Sequence, residues 1–323
     1  MRIIITGGTG LIGRALVESL VKDNQEVVVL SRSPEKKRDT LPMSVEIHKW
    51  DAKTADGWLD LCEGEYAIVN LAGTNIGGEG FPPTRWTDKR KQSILQSRLD
   101  AAAAVIDAVK RAETKPKMVI QSSAVGYYGH RPDGPITEEA DPGPEDDFVA
   151  YVAKRWEAAI QPVIDMVVRV VIIRSGVILS DEGGALPSQM IPFKLFAGGP
   201  IGSGKQGYSW MHIDDEVRAI HFLLNKEDAS GAYNLTSPNP TDNAGIGKAI
   251  ASTLNRPYYF PTPGFAMRLA FGEVADVLLL GQKVLPTRLQ EAGFTWEFAE
   301  PRAALEDLFG KDNHQDDRRL AEA

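Results

Sequence analysis

Four glycines, Gly7, Gly8, Gly10 and Gly13, separate the apolar run RIIIT from a helix-forming stretch, LIGRALVESLVKD. Glycine is costly inside regular structure and favoured where the backbone must bend sharply or approach a ligand. The spacing Gly7-Gly8-Thr9-Gly10-Leu11-Ile12-Gly13 is a G-x-x-G-x-x-G that follows a strand and opens a helix. In that context Gly7 allows a tight turn and Gly10 lets backbone reach a pyrophosphate. Gly13 allows close helix–strand packing. The helix start adds free N–H groups and a favourable dipole for an anion. A tight turn with no ligand is the plainer alternative. The second test lies after the next apolar run, at Leu30-Ser31-Arg32-Ser33. An NAD site usually carries an acid there, hydrogen-bonded to the ribose. Arg32 instead suits a 2′-phosphate, with Ser31 and Ser33 as further donors. The expectation is NADP(H) over NAD(H); a solvated surface Arg is the bland alternative.

These residues need a scaffold. RIIIT, EVVVLS, VEIHKW, EYAIVNLAG, KMVIQSS and MVVRVVIIRS read as six strands. LIGRALVESLVKD, Asp88 to Ala112 and DFVAYVAKRWEAAI read as helices between them. Strands apolar throughout imply burial on both faces, hence a parallel sheet wrapped by helices. The predicted fold class is α/β: a doubly wound, Rossmann-type sheet with a smaller mixed α/β lobe after about Gly176, where Pro and Gly become dense. Residues 1–175, with about 208–228, form the predicted NADP-binding domain. Residues 176–207 and 229–309 form a substrate lobe, and 310–323 a frayed end.

Composition narrows the functional classes. In 323 residues, 43% are hydrophobic and 25% charged, as in ordinary globular proteins. Thirty-six basic residues against 44 acidic give a net charge of −8, which disfavours nucleic-acid and anionic-membrane partners. The most apolar stretch, MVVRVVIIRSGVIL, is broken by Arg169 and Arg174 and falls short of a membrane span. Cys62 is the single cysteine and the five histidines lack ligand spacing, so neither a disulfide nor a metal is expected. A strand starting at Arg2 leaves no room for a signal peptide, and a cytoplasmic location is expected.

The segments TGGTGLIG, LSRSP, NLAG, RWTDKRKQSILQSR, SSAVGYYG, RSGVILS, GGPIGSGKQGYSWMHIDD and GQKVLPTRLQEAGF carry a further signal. Together they resemble the short-chain dehydrogenase/reductase superfamily in its extended, epimerase-like branch. More narrowly they resemble an atypical "epimerase family protein" subgroup with its own C-terminal module, from Met1 to about Phe309. The resemblance implies that Gly7, Gly10, Leu11, Ile12 and Gly13 hold the pyrophosphate. It implies that Ser31 and Arg32 hold the 2′-phosphate. Asp51 would meet the adenine amino group, and Leu71-Ala72-Gly73 the adenine ribose. Arg98 aligns with a cofactor-contacting Arg, and Ile178 would approach the nicotinamide. Asp51 as a turn residue and Arg98 as a helix charge are the plainer alternatives.

The resemblance also implies a Ser, Tyr and Lys for proton transfer, with Tyr and Lys four apart on one helix face. This chain departs from that pattern. Ala150 stands four before Lys154, and Tyr151 stands three before it. Tyr151 and Lys154 can still meet at that spacing; Arg155 can replace the lysine as a charge; or the set is lost. Ala124 occupies the expected serine position, with Ser122 and Ser123 beside it. The candidate catalytic set is therefore Ser123, Tyr151 and Lys154, with Tyr127 and Tyr128 as other hydroxyls. In the second lobe, Trp210 could stack on a ring and His212 could act on substrate. Asp215 resembles a helix cap. Lys194, Lys205 and Lys283 could meet an anion.

Two functions fit. One is an NADP(H)-dependent oxidoreductase or epimerase on a small carbonyl, hydroxyl or nucleotide-sugar substrate. The other is a catalytically silent NADP(H)-binding sensor or scaffold, which relatives labelled for cell division would suit. The expected partner is a small-molecule substrate, and the chain a monomer or a homodimer through the helices around Gln92–Lys110 and Phe148–Ile160.

Overall fold

The computed structural model describes residues 1–78, 80 and 82–310. The first half alternates β1 (Arg2–Thr6), α1 (Leu11–Lys22), β2 (Glu26–Ser31), α2 (Pro34–Lys37), β3 (Glu46–Lys49), β4 (Tyr66–Asn70), α3 (Asp88–Arg111) and β5 (Met118–Ala124). There follow β6 (Arg131–Ile136), α4 (Phe148–Ala159), α5 (Gln161–Asp165), β7 (Val170–Ser175), β8 (Val177–Leu179) and α6 (Leu186–Lys194). Next come β9 (Gly207–Tyr208), β10 (Trp210–His212), α7 (Ile213–Asn225), β11 (Gly231–Leu235), β12 (Thr241–Asp242) and α8 (Asn243–Thr253). The chain closes with α9 (Gly264–Phe271), α10 (Asp276–Leu279), β13 (Gln282–Val284), α11 (Thr287–Glu291) and a helix over 301–310.

Seven strands form one sheet in the order β3-β2-β1-β4-β5-β7-β11, every pair parallel. Alternate residues face opposite layers. Ile3, Ile5, Val27, Val29 and Val69 pack with Leu16, Val17 and Leu20 of α1 and with Val217, Ile220 and Leu223 of α7. Ile4, Val28, Leu30 and Ile68 pack with Ala101, Ala104, Val105 and Ala108 of α3 and with Val163 of α5. Burial on both faces explains the uninterrupted apolar strands. Each fully buried Leu or Val stabilises the sandwich by roughly 1.5–3 kcal/mol. No helix among the described residues is long and apolar enough to cross a membrane.

The lobe boundaries differ from the sequence-based expectation in two places, one of them Trp210, assigned with 208–228 to the NADP-binding domain but packed in the core of the second lobe. Gly231–Leu235, assigned there to the second lobe, is the edge strand of the main sheet, in register with Val171–Ser175 of β7. The second lobe has its own core of Leu186, Met190, Phe193, Trp210, Ile246 and Ile250. The C-terminal segment stitches the two together. β13 pairs with β6, and Arg288 donates to the carbonyls of Ser230 and Ala232. Trp296 Nε1 donates to Thr236 O, and Asp215 accepts from the N–H groups of Glu297 and Phe298. Of the predicted frayed end, Gly310 closes a helix and 311–323 lie outside the described residues.

Candidate functional site

The β1–α1 turn is built only from glycine where it must be. Gly7 has φ +69°, and a Cβ there would lie 2.7 Å from Leu71 C. A Cβ on Gly13 would lie 2.3 Å from Gly7 O. Any larger residue would push α1 off the sheet. Gly10 is different: its Cβ would meet only Gly7 O, at 3.3 Å, a tight contact that a shift of a few tenths of an ångström would relieve. Gly10 caps α1 without a side-chain partner, and no acid stands in the first turn. The N–H groups that begin α1 are therefore available to an anion. Leu11 and Ile12 turn inward against the α1/α7 core.

These residues open into a cleft of about 640 Å³ at the carboxyl edge of the sheet. Gly7, Thr9 and Gly10 form its base, and Ser31, Arg32 and Ser33 one wall. Arg32 is exposed and makes no hydrogen bond or ion pair among the described residues. Ser31 Oγ accepts from Ser33 N at 3.2 Å, which folds the loop around Arg32. The sequence reading missed three further cations in the cleft: Lys37, Lys53 and Lys89. None of the three has a carboxylate partner among the described residues. A chain of net charge −8 thus concentrates unpaired cations around one cleft. Lys37 and Lys53 had no sequence signal, because ordinary surface lysines look the same.

Asp51 lines the cleft, yet its oxygens close a local turn. Oδ1 accepts from Lys53 N at 2.7 Å and Thr54 N at 2.8 Å, and Oδ2 from Thr54 Oγ1 at 3.0 Å. Burial works to raise its pKa, but these hydrogen bonds outweigh it and hold the carboxyl below its ordinary value. Leu71, Ala72 and Gly73 form the opposite wall. A buried chain fixes them: Thr6 Oγ1 donates to Asn70 Oδ1 at 2.5 Å, and Asn70 Nδ2 to Gln121 Oε1 at 2.9 Å. Ala72 N in turn donates to Thr6 Oγ1. Arg98 does not line the cleft. It lies behind Gly73, donates to Thr74 O at 3.0 Å and stacks on Trp156 at 4.7 Å. Burial lowers its pKa to about 10, so it stays charged at neutral pH. Ile178 is buried in β8 and packs into the same core as Leu11 and Ile12.

Ser123, Tyr151 and Lys154 are not brought together. Ser123 Oγ, buried, donates to Glu157 Oε1 at 2.6 Å. Lys154 pairs with Glu145 near the surface. Tyr151 is half-buried, has Arg155 over its ring at 5.3 Å, and makes no hydrogen bond through its hydroxyl among the described residues. Ala150, in the expected tyrosine position, is fully buried. Its Cβ would come within 2.8 Å of a Cβ on Gly143, whose N–H donates to Tyr127 O. Gly143 thus roofs the position where a tyrosine would project.

A buried polar network occupies the region instead. Arg174 Nε and Nη2 each reach a Glu157 oxygen at 2.9 Å. Arg174 Nη1 donates to Tyr128 Oη at 2.8 Å, and Tyr128 Oη donates to Asn234 Oδ1 at 2.7 Å. The Arg174 guanidinium carbon lies over the Tyr127 ring, 3.6 Å from its centre. Burial would lower the Arg174 pKa, but its bonds to Glu157 reverse this and hold the guanidinium charged. Burial pushes the Tyr128 phenol up to about 12. A bidentate, largely buried pair of this kind is costly to break from one side.

The second-lobe candidates are structural. Trp210 is fully buried and donates to Asn239 O, so no ring can stack on it. His212 caps α7: Nδ1 accepts from Asp214 N at 3.2 Å, and the ring packs on Phe298 at 4.0 Å. Burial lowers its pKa. Asp215 does not cap α7; wholly buried, it anchors the 297–298 backbone. Lys194, Lys205 and Lys283 do not line the cleft.

Comparison with known proteins fits this architecture. Residues 3–236 match the model of the NAD dependent epimerase/dehydratase family, and residues 262–308 match a domain of unknown function, DUF1731. An Arabidopsis thaliana protein named as a chloroplastic SDR39U1 homolog of the epimerase family is 39% identical over 309 residues, 94% of this chain and 86% of the relative. The structure of human epimerase family protein SDR39U1 (isoform 2) with NADPH is similar with a TM-score of 0.81 at 32% identity, covering 96% of this chain and 99% of that one. A nucleoside-diphosphate sugar epimerase of Corynebacterium glutamicum is similar with a TM-score of 0.74 at 31% identity, covering 96% and 58%. With a family match over most of its length and both glycine turn and sheet order in place, the chain belongs to the NAD dependent epimerase/dehydratase family.

Proposed function

We propose that this protein binds NADP(H) in the cleft between the β1–α1 turn and Arg32 and acts on a small carbonyl, hydroxyl or nucleotide-sugar substrate as an oxidoreductase or epimerase. One observation carries the reading: an uncapped helix start, held open by Gly7, Gly10 and Gly13, faces the same cleft as the unpaired Arg32, Lys37 and Lys53. The human relative's NADPH complex supports it. Gly10 and the first N–H groups of α1 would hold the pyrophosphate. Arg32, with Ser31, Lys37 and Lys53, would hold the 2′-phosphate, and Leu71 to Gly73 the ribose. Arg98 fixes the Leu71–Thr74 turn from behind. When bound, the nicotinamide supplies hydride transfer. Tyr151, whose hydroxyl makes no hydrogen bond among the described residues, is the candidate proton donor.

The sealed Ala150 and the Ser123–Glu157 bond favour a second reading, a silent NADP(H) sensor or scaffold. NADPH oxidation across a panel of carbonyls and nucleotide sugars separates the two. Turnover that disappears in Tyr151→Phe supports the enzyme. Tight NADPH binding with no consumption supports the sensor. No binding of either dinucleotide removes both.

A further inference from the structure

Six of the eleven large apolar side chains exposed among the described residues belong to neighbouring segments of the second lobe. Leu195, Phe196, Tyr259 and Phe260 are 71%, 57%, 78% and 58% exposed, and Phe265 and Leu269 of α9 are 73% and 77%. The backbone holds these segments side by side. Tyr259 N and Phe260 N both donate to Gly198 O; Thr262 N donates to Pro200 O, and Gly202 N to Thr262 O. Residues 198–202 and 259–262 thus run alongside each other and lead into α9.

Phe196 carries a second observation. It stands just past α6, where Ala197 N donates to Pro192 O at 2.8 Å and Phe196 N to Phe193 O at 2.9 Å. This helix-ending geometry ordinarily takes glycine, because the residue must be left-handed. Phe196 adopts φ +59°, at a cost of about 1–2 kcal/mol for a side chain of this kind. Arg256 lies 4.5 Å over its ring and does not cover it. Backbone strain kept in order to present an exposed aromatic points to a contact.

Six side chains of this size expose on the order of 700 Å² of apolar surface. That exceeds the roughly 300–600 Å² patch of an ordinary monomer and is close to the about 800 Å² that each partner gives a stable interface. We propose that this face joins two copies of the chain about a two-fold axis. An anionic bilayer suits it less, since the chain carries a net charge of −8. Helices α3 and α4, the pair expected to dimerise, expose no large apolar side chain among the described residues.

Sedimentation equilibrium of the full chain at about 1–100 μM, where interfaces of this size associate, tests the proposal. The expected species is a dimer whose dissociation constant rises at least about tenfold in Phe260→Asp and in Phe196→Gly. Phe196→Gly guards against misfolding: glycine suits the left-handed backbone, so its melting temperature should hold or rise while the dimer weakens. Three results would overturn the proposal. One is a monomer across the whole range. Another is a dimer unaffected by either substitution. The third is a monomer that co-sediments with phosphatidylcholine–phosphatidylglycerol vesicles through Phe196 and Phe260.

Discussion

Ser123 Oγ lies 2.6 Å from Glu157 Oε1, the oxygen that also takes Arg174 Nε at 2.9 Å. A serine hydroxyl at the carboxyl end of β5 is thereby committed to an ion pair between α4 and β7. The bond joins residues 34 apart in sequence, and it makes this serine a structural group. Glu157 should therefore dominate its neighbour in stability. Glu157→Ala leaves Arg174 buried and unpaired, at about 3–5 kcal/mol. Ser123→Ala removes one hydrogen bond, about 1 kcal/mol. Urea unfolding of the two variants checks the ranking; equal losses would place the network's energy elsewhere.

Arg32→Ala should weaken NADPH by about 1–3 kcal/mol, roughly 5- to 150-fold, and leave NADH nearly unchanged. Lys37→Ala and Lys53→Ala should act in the same direction with smaller effect, since a lysine offers a point charge and not a fork. Calorimetric titration with both dinucleotides distinguishes this from a uniform loss, which would mean that these cations do not read the phosphate.

The glycines should separate into two kinds. Gly13→Ala places a Cβ 2.3 Å from Gly7 O and should lower the melting temperature as well as dinucleotide affinity. Gly10→Ala meets only Gly7 O at 3.3 Å and should perturb the fold less than Gly13→Ala while losing affinity more than tenfold, because Gly10 lines the cleft. If Gly10→Ala binds like the parent, the backbone at Gly10 does not approach the ligand.

Stability should also depend on pH through Glu216. Its carboxyl is wholly buried in the first turn of α7 and accepts Ser175 Oγ at 2.5 Å, and burial raises its pKa to about 8. The folded chain keeps this proton up to about pH 8, whereas the unfolded chain loses it near the ordinary 4.5. Its contribution is full below 4.5 and is lost as pH rises through 8, by up to about 1.4 kcal/mol per pH unit. Glu216→Gln should flatten the fall in melting temperature across that window. An identical slope in both proteins would assign the alkaline loss to other groups.

The parts legible in the sequence are those whose signal is local. The strand–glycine–helix start, the apolar strands and the arginine after the second strand each lie within a few residues of their cause. β11 escaped because five residues, Gly-Ala-Tyr-Asn-Leu, are too few for a periodic pattern, and its place depends on β7 more than 50 residues earlier. His212 and Asp215 looked like substrate and capping groups. Their partners, Phe298 and the 297–298 backbone, stand more than 80 residues away.

The dinucleotide turn after the first strand, the parallel sheet and the altered tyrosine–lysine spacing are all readable from residue order. They are so because glycine, periodicity and spacing act over one turn or one strand. What the altered residues do depends on how the folded chain packs around them. That packing seals Ala150 under Gly143, ties Ser123 to Glu157, and gathers Lys37 and Lys53 beside Arg32. Burial, pairing and charge clustering are properties of segments brought together by the sheet, and no single segment carries them.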